Sequence, residues 1–399
     1  MRATRERNRK EWVKAARAVR DLTKVEKEKK WKEYVGTLDM TTNPAQVWRT
    51  IHSMEGKYPA KNENEVLTFE GHALVDDADK AKAFAKTYKR FSTLPARKSD
   101  RRFRRKVRRR LKRREEPIQE SEQDITMEEL ERVIQEAELN KAAGQDDIPY
   151  ELIKHLGPKG RAYLLHLYNK CWATGEIPNM WRTATIKTLL KDGKDAKDTT
   201  SYRPISLTSC LGKLLEKIIA NRLTYVMEKR GIISDDQAGF RQNRCTTDQV
   251  LKLTQHAADQ MQAKRGQNAT IVTFFDYAKA YDKVWRIGLL YKMVEMQLPY
   301  RFIKYTRSFL SNRQTTVEIN GTASKKFMLK DGLPQGSSIS PLLFLIFIND
   351  IGVDLHDLTV ASLFADDTSI WVPGGRDRRE HAISRMQEEG DKIVKWADD

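Results

Sequence analysis

The sequence predicts an α+β fold behind a basic, mostly helical N-terminal extension, and three observations carry that prediction. Residues 269–275 (Ala-Thr-Ile-Val-Thr-Phe-Phe) form a β-rich run that stops at Asp276. Residues 358–363 and 368–372 are apolar and β-prone, and only Phe364-Ala365-Asp366-Asp367 separates them, which is the pattern of a hairpin. Residues 342–348 are apolar all round, as a helix buried beneath a sheet would be. Ser340 is placed to cap that helix and Pro341 to open it.

The extension comes first in the chain. Residues 1–40 mix charges densely, with Trp12, Val13, Ala16, Val19 and Leu22 spaced as the thin apolar seam of a solvated helix. Asn43 and Pro44 have the order of an N-cap and a first helical residue, and Val47, Trp48 and Ile51 follow on one face. Residues 78–91 predict another helix with Phe84, Tyr88 and Phe91 on one stripe, a pattern of core packing rather than base stacking.

Residues 101–114 are nearly all Arg and Lys, broken by Phe103, Val107 and Leu111, so a helix would gather those three on one side. Arg101, Arg102, Arg104, Arg105, Arg108 and Arg109 are candidate contacts to nucleic-acid phosphates, held by charge and counterion release. The same run also fits a nuclear import signal or a solvated linker. The acidic stretch 115–124 marks a boundary. The expected division is an extension over 1–120 and a second domain over 121–399.

In that second domain Thr126 and Glu129 have the spacing of a capping box ahead of a helix carrying Leu130, Val133, Ile134 and Ala137. Residues 141–149 read as a turn before a further helix, and 183–190 as a strand that turns over 191–194. Residues 277–285 shift to a helix-like spacing after Asp276. Residues 381–399 predict an amphipathic helix with Ile383, Met386, Ile393 and Trp396 as its apolar positions.

Composition narrows the partners. Lys and Arg number 73 against 55 Asp and Glu in 399 residues, a formal net charge of +18, which points to a polyanionic partner. Cys171, Cys210 and Cys245 are scattered with no CxxC pair and no zinc-ligand spacing, as expected of free thiols in a reducing compartment, the nucleus and cytoplasm. The N-terminus is charged throughout, unlike a secretory signal, and the longest apolar run is far too short to span a membrane.

Asp366 and Asp367 carry the chemistry. Asp is common in turns for its bonds to nearby backbone N–H groups, and a lone Asp-Asp would be read that way. Adjacent carboxylates also repel and raise each other's pKa unless a cation lies between them, and hard oxygen ligands suit Mg²⁺. Asp276, at the end of a strand expected to be buried, offers the third carboxylate from a rigid support.

Asp276 with Tyr281 five positions on, then Gly332-Leu333-Pro334-Gln335-Gly336-Ser337, then Phe364-Ala365-Asp366-Asp367, resemble the palm motifs of reverse transcriptases in their usual order. Residues 201–209 (Ser-Tyr-Arg-Pro-Ile-Ser-Leu-Thr-Ser) and Gln237-Ala238-Gly239-Phe240-Arg241 resemble the fingers motifs of one branch, the non-LTR or LINE-type retrotransposons. The resemblance implies a right-hand polymerase fold with fingers and palm, the palm an antiparallel sheet backed by helices. It implies an RNA template, a DNA primer and deoxyribonucleoside triphosphates as partners. It further implies two Mg²⁺ ions, with Mn²⁺ as a substitute, held by Asp276, Asp366 and Asp367 together with the Phe275 carbonyl. Lys191, Arg203, Tyr281, Gln335 and Gly336 match positions around the nucleotide, with the Tyr281 ring excluding a 2′-hydroxyl. Arg241 and Arg244 match a contact to the nucleic-acid backbone.

The chain departs from the family at Gln145 and Asp147, where Gly-Pro-Asp-Gly is usual, at Asp192, where Pro is usual, and at Phe364, where Tyr is often found. Asp282 reads as a salt-bridge or cap residue rather than a metal ligand. The primer-gripping strands of the family would begin where this chain ends, so a fragment is expected. Two other functions fit part of the pattern: a non-catalytic nucleic-acid-binding remnant resting on the basic run, and a carboxylate-metal nuclease, which leaves the Gln335 loop unexplained.

Overall fold

Among the described residues, ten strands in three sheets organise the computed structural model. It describes residues 66–95, 97, 99–112, 120–262, 268–375 and 379–398, with scattered positions between 19 and 36. The strands are β1 (Leu67–Phe69), β2 (His72–Leu74), β3 (Thr183–Leu190), β4 (Tyr202–Leu207), β5 (Asn268–Phe275), β6 (Gln314–Ile319), β7 (Thr322–Ala323), β8 (Phe327–Met328), β9 (Val360–Phe364) and β10 (Asp367–Gly375). β1 and β2 form a hairpin, β5-β10-β9 an antiparallel sheet, and β4-β3-β6-β7 a mixed sheet whose β6 also pairs β8.

The chain divides into two units, Met1–Glu65 and Val66–Asp399. In the first unit the described positions are helical, and Val19 and Leu22 are exposed. Trp12, Val13 and Ala16 of the expected seam, and the helix expected after Asn43, lie outside the described residues.

The unit boundary corrects the division expected at residue 120. Residues 66–112 pack into the same unit as the rest because their apolar stripes are covered. Phe84 and Tyr88, on the Asp77–Phe91 helix, are buried with Ile186 and Val317 of the mixed sheet. The basic run forms the Asp100–Lys112 helix, and Val107 is buried in the main core with Leu111 packed beside it. Phe103 stacks on Tyr291 with ring centroids 3.9 Å apart and planes 8° from parallel. Three apolar residues at every fourth position are thus enough to dock a helix that is otherwise cationic, and the solvated-linker reading falls.

The main core is helical. The Cys210–Lys229 helix runs through it with Leu215 and Leu223 fully buried, and Trp172, Tyr168, Phe302 and Phe309 close around it. Each such side chain contributes roughly 1.5–3 kcal/mol of transfer free energy. The predicted capping box is present at Thr126 and Glu129, heading the Met127–Glu136 helix, and Arg222 holds the same Glu129 carboxylate at 2.6 Å.

The β5-β10-β9 sheet has its own small core of Leu363, Ile370, Val372, Ala382, Met386 and Ile393. The helix behind it is Arg379–Asp398, which corrects the expectation that residues 342–348 back the sheet. The Ser340–Ile348 helix is buried instead in the main helical core, as its all-round apolarity allows. Ser340 is its first residue rather than its cap, and no side chain caps it. On the Arg379–Asp398 helix the buried position is Ala382, while Ile383 is 49 % exposed, a one-residue error in the predicted stripe. After Asp276 only a short 3₁₀ turn forms at Tyr281–Lys283, and the helix starts later, at Arg286–Glu295. Lys279 takes φ +59°, which no helix interior accepts.

Candidate active site

The hairpin is as tight as its spacing predicts. Asp367 pairs with Phe364, leaving Ala365 and Asp366 as a two-residue loop. Ala365 takes φ +57° and is 5 % exposed, so the turn uses a left-handed alanine where such hairpins favour glycine or asparagine. β10 also pairs antiparallel with β5, with Thr368 opposite Phe275. The register therefore brings Asp276 to the level of Asp367, one step past the last pair. Alternation sets Phe275 toward the small core and Asp276 toward solvent.

Burial pushes the Asp366 carboxyl above its ordinary range, and the negative charges of Asp367 and Asp276 add to that push. Arg203 acts in the opposite direction, so one carboxylate feels two like charges and one cation. Among the described residues no three acidic, histidine or cysteine side chains close into a ready metal cluster. The donor set nevertheless fits a hard divalent cation: the carboxylates are all oxygen donors, Asp276 and Asp367 are exposed, and their mutual repulsion calls for positive charge.

Tyr281 lies against this turn. Its ring stacks on Phe344 with centroids 4.6 Å apart and planes 11° from parallel. Burial raises its hydroxyl pKa, and Asp366 raises it further. A cavity of about 750 Å³ opens beside Asp276, walled by Phe103, Trp285, Tyr291, Phe344, Phe347 and Trp396.

Of the remaining nucleotide candidates, Arg203 lies near enough to Asp366 to lower its pKa. Arg203 is exposed on β4 opposite Leu189 of β3, and Lys191 follows β3 directly. Lys191 and Lys279 lie near enough to Asp282 to lower its pKa. Gln335 Nε2 donates to Asp282 Oδ1 at 3.0 Å, and the Gln335 carbonyl accepts from the Ser206 N–H at 2.7 Å. The turn before it needs glycine: Gly332 has φ +81°, and a Cβ there would lie 2.5 Å from the Asp282 carbonyl oxygen. Gly336, at φ +102°, is exposed. Among the described residues Asp282 forms no salt bridge, contrary to expectation; burial raises its pKa to about 6, the Gln335 bond working against that rise.

Other expectations separate here. The Arg241 guanidinium is held by both Glu228 carboxylate oxygens at 2.6 and 2.8 Å and by the Ser234 and Gln237 carbonyls. With its side chain 7 % exposed, Arg241 braces the fold rather than presenting a free cation, and the expected phosphate contact is corrected on that ground. Arg244 pairs with Asp235 at 2.7 Å and remains partly exposed. Arg101, Arg102, Arg104, Arg105, Arg108 and Arg109 all lie on the exposed face of their helix.

Sequence reasoning missed Glu216. Its fully buried carboxylate accepts from Ser337 Oγ at 2.6 Å and from the Ser338 N–H at 2.8 Å, anchoring the far end of the Gln335 loop. Burial raises its pKa against the lowering effect of Ser337, Arg313 and Ser338. The available signal was a lone acid inside the apolar stripe Leu215, Ile218 and Ile219.

A two-carboxylate turn thus lies beside an acid-tipped strand, with Arg203 of β4 close enough to act on Asp366. The family profile described as reverse transcriptase (RNA-dependent DNA polymerase) matches residues 191–396, just over half of the chain. The "Probable RNA-directed DNA polymerase from transposon BS" of Drosophila melanogaster is 36 % identical over 57 % of this chain and 25 % of its own length. The RNA-directed DNA polymerase from mobile element jockey of the same species is 32 % identical over 69 % of this chain and 30 % of its own. Its Drosophila funebris counterpart is 31 % identical over 68 % of this chain and 30 % of its own. The chain belongs to the reverse transcriptase family, and it spans roughly a quarter to a third of the length of these relatives.

Proposed function

We propose that the chain is the fingers and palm part of an RNA-directed DNA polymerase of a non-LTR retrotransposon, extending a DNA primer on an RNA template. The observation that carries this reading is the meeting of Asp366 with Asp276, Asp367, Arg203 and Tyr281 at one hairpin turn. Family members generally use divalent metal ions, and here Asp276, Asp366 and Asp367, with the Phe275 carbonyl, would hold Mg²⁺, or Mn²⁺ in its place. Bound there, the metal would supply charge for a two-metal in-line displacement at phosphorus.

The protein's own residues do the positioning, on which phosphoryl transfer mostly rests. Arg203 offers its fork to triphosphate oxygens and Lys191 a mobile point charge. Tyr281, fixed face to face on Phe344, presents a ring that cannot move aside for a 2′-hydroxyl. Gln335, oriented by Asp282, lines the sugar and base side of the nucleotide, and Gly336 leaves the backbone open to it. The exposed Arg face of the Asp100–Lys112 helix and Arg244 contact phosphates of the template or primer. Membership of an intracellular element is the corresponding expectation for location, in nucleus and cytoplasm; among the described residues no helix is long and apolar enough to cross a membrane.

The test is primer extension on an RNA template with Mg²⁺, comparing the chain with its Asp366→Asn, Asp367→Asn double variant. Extension by the parent and none by the double variant is expected; extension that survives both substitutions sinks the assignment.

A further inference from the structure

By resemblance Gln237-Ala238-Gly239-Phe240-Arg241 belongs with the fingers, yet its hydrogen bonds run to the catalytic hairpin. The Leu363 N–H donates to the Asp236 carbonyl at 2.9 Å, and the Ala238 N–H donates to the Leu363 carbonyl at 2.9 Å. These bonds form a parallel bridge between Gln237 and Leu363, along the outer edge of β9. The Gln237 side chain, in a residue 2 % exposed, turns under the hairpin, where Oε1 accepts from the Ala365 N–H at 2.9 Å and the Gly239 N–H at 2.8 Å. Gly239 packs against the same amide: a Cβ on it would lie 2.3 Å from the Ala365 nitrogen.

Two features say that this contact has a purpose beyond filling space. Ala365 holds φ +57°, which an L-residue keeps only where its surroundings over-determine it. Gln237 Nε2 is buried without a hydrogen-bond partner among the described residues, a cost that an apolar residue of equal length would avoid. What Gln237 provides and an apolar residue does not is the acceptor for Ala365, the residue directly before Asp366.

We propose that Gln237 is a positioning residue for the catalytic turn: its Oε1, with the Gly239 backbone packed beside it, holds Ala365 left-handed and thereby aims the Asp366 carboxylate. This rests on the reading of Asp366 as a metal-binding residue given above. Gln237 touches neither substrate nor metal and acts through one backbone amide. Partners at that remove from a metal are worth about 10–100-fold in metal affinity or activity.

The experiment compares the chain with Gln237→Met, which keeps length and removes the acceptor, and Gln237→Glu, which keeps an acceptor oxygen in place. Amide hydrogen exchange over residues 361–370, Mn²⁺ affinity by calorimetry and RNA affinity at one salt concentration are measured for each. In the Met variant exchange at Ala365 should quicken by about tenfold, and Mn²⁺ affinity should fall by about 10–100-fold. RNA affinity should stay level, and the Glu variant should keep the protection of the Ala365 amide. Gln237→Asn, whose acceptor is withdrawn by one methylene, carries the same expectation as Met should Met not fold. Unchanged exchange in the Met or Asn variant overturns the proposal, as does quicker exchange with unchanged Mn²⁺ affinity, which would make Gln237 a packing residue only. A parent chain that binds no Mn²⁺ defeats the metal reading rather than this one, and the exchange measurement then decides alone whether Gln237 holds the turn.

Discussion

The two halves of the site are built in opposite ways. The carboxylate half is set by strand register and by the Gln237 acceptor beneath Ala365, with Asp276 and Asp367 at the exposed ends of paired strands and Arg203 as the cation that opposes the rise at Asp366. The Gln335 half is tied down from inside: Asp282 holds Gln335, Glu216 holds Ser337 and Ser338, and Ser206 holds the backbone between. Both halves use carboxylates whose pKa is raised, but for different reasons of placement. Near Asp366 burial is reinforced by the like charges of Asp367 and Asp276, which Arg203 only opposes, whereas Glu216 and Asp282 are buried and satisfied by hydrogen bonds. Acid left short of partners marks where a cation belongs, and acid fully bonded marks a structural clamp.

The largest expected effect breaks the first half without touching the second. Asp366→Asn should cut primer extension by at least about a thousandfold, while the melting temperature holds or rises because a like charge is gone. A matching loss of stability, read by thermal denaturation, would mean that Asp366 is a clamp after all. Glu216→Ala should invert the pattern. Two buried donors lose their acceptor, so chemical denaturation should report a loss of about 2–4 kcal/mol, with Glu216→Gln much milder.

A pH series sharpens the contrast. The Asp282 carboxyl, raised from 3.8 to about 6, is better accommodated protonated. Its contribution to stability is complete below about pH 4 and is lost as pH rises through about 6. Asp282→Asn, which stays neutral and keeps an acceptor for Gln335, should therefore gain on the parent chain between those values, by up to about 3 kcal/mol. A flat difference across that window would remove Asp282 from the clamps. The smallest effect on chemistry concerns the basic helix. Changing alternate Arg residues of 101–112 to Gln should flatten the fall of log RNA affinity with log salt by about 0.7 per lost contact. Asp276→Asn should leave that slope nearly unchanged, and an unchanged slope in the Gln variant would place binding elsewhere.

What could be read in advance follows the same division. The carboxylate turn is local: four consecutive residues between two β-prone runs, plus an Asp at a strand end, needed no distant contact to be seen. The clamps are not local. Ser337 and Glu216 are 121 positions apart, Gln335 and Asp282 are 53 apart, and Ala365 and Gln237 are 128 apart. Propensity carries no information over such separations. Arg241 failed for a related reason, since an Arg in a motif looks alike whether its fork meets phosphate or Glu228. The helix in the basic run was legible because Phe103, Val107 and Leu111 repeat with helical period, though that repeat could not say which helix they would meet. Ile383 and Ala382 show the limit at the fine scale, where a one-residue rotation decides which side chain is covered.

The bond from the Ser206 N–H to the Gln335 carbonyl has a mechanical consequence. Ser206 lies on the same strand as Arg203, and a Cβ at Gly336 would stand only 3.0 Å from the Ser206 carbonyl oxygen. The strand proposed to grip the triphosphate and the loop proposed to read the sugar and base are therefore parts of one gauge, locked at a fixed spacing. On that proposed reading, a nucleotide spanning strand and loop would meet a preset gap, and widening it would strain both, together with the buried Glu216 that holds the loop from behind.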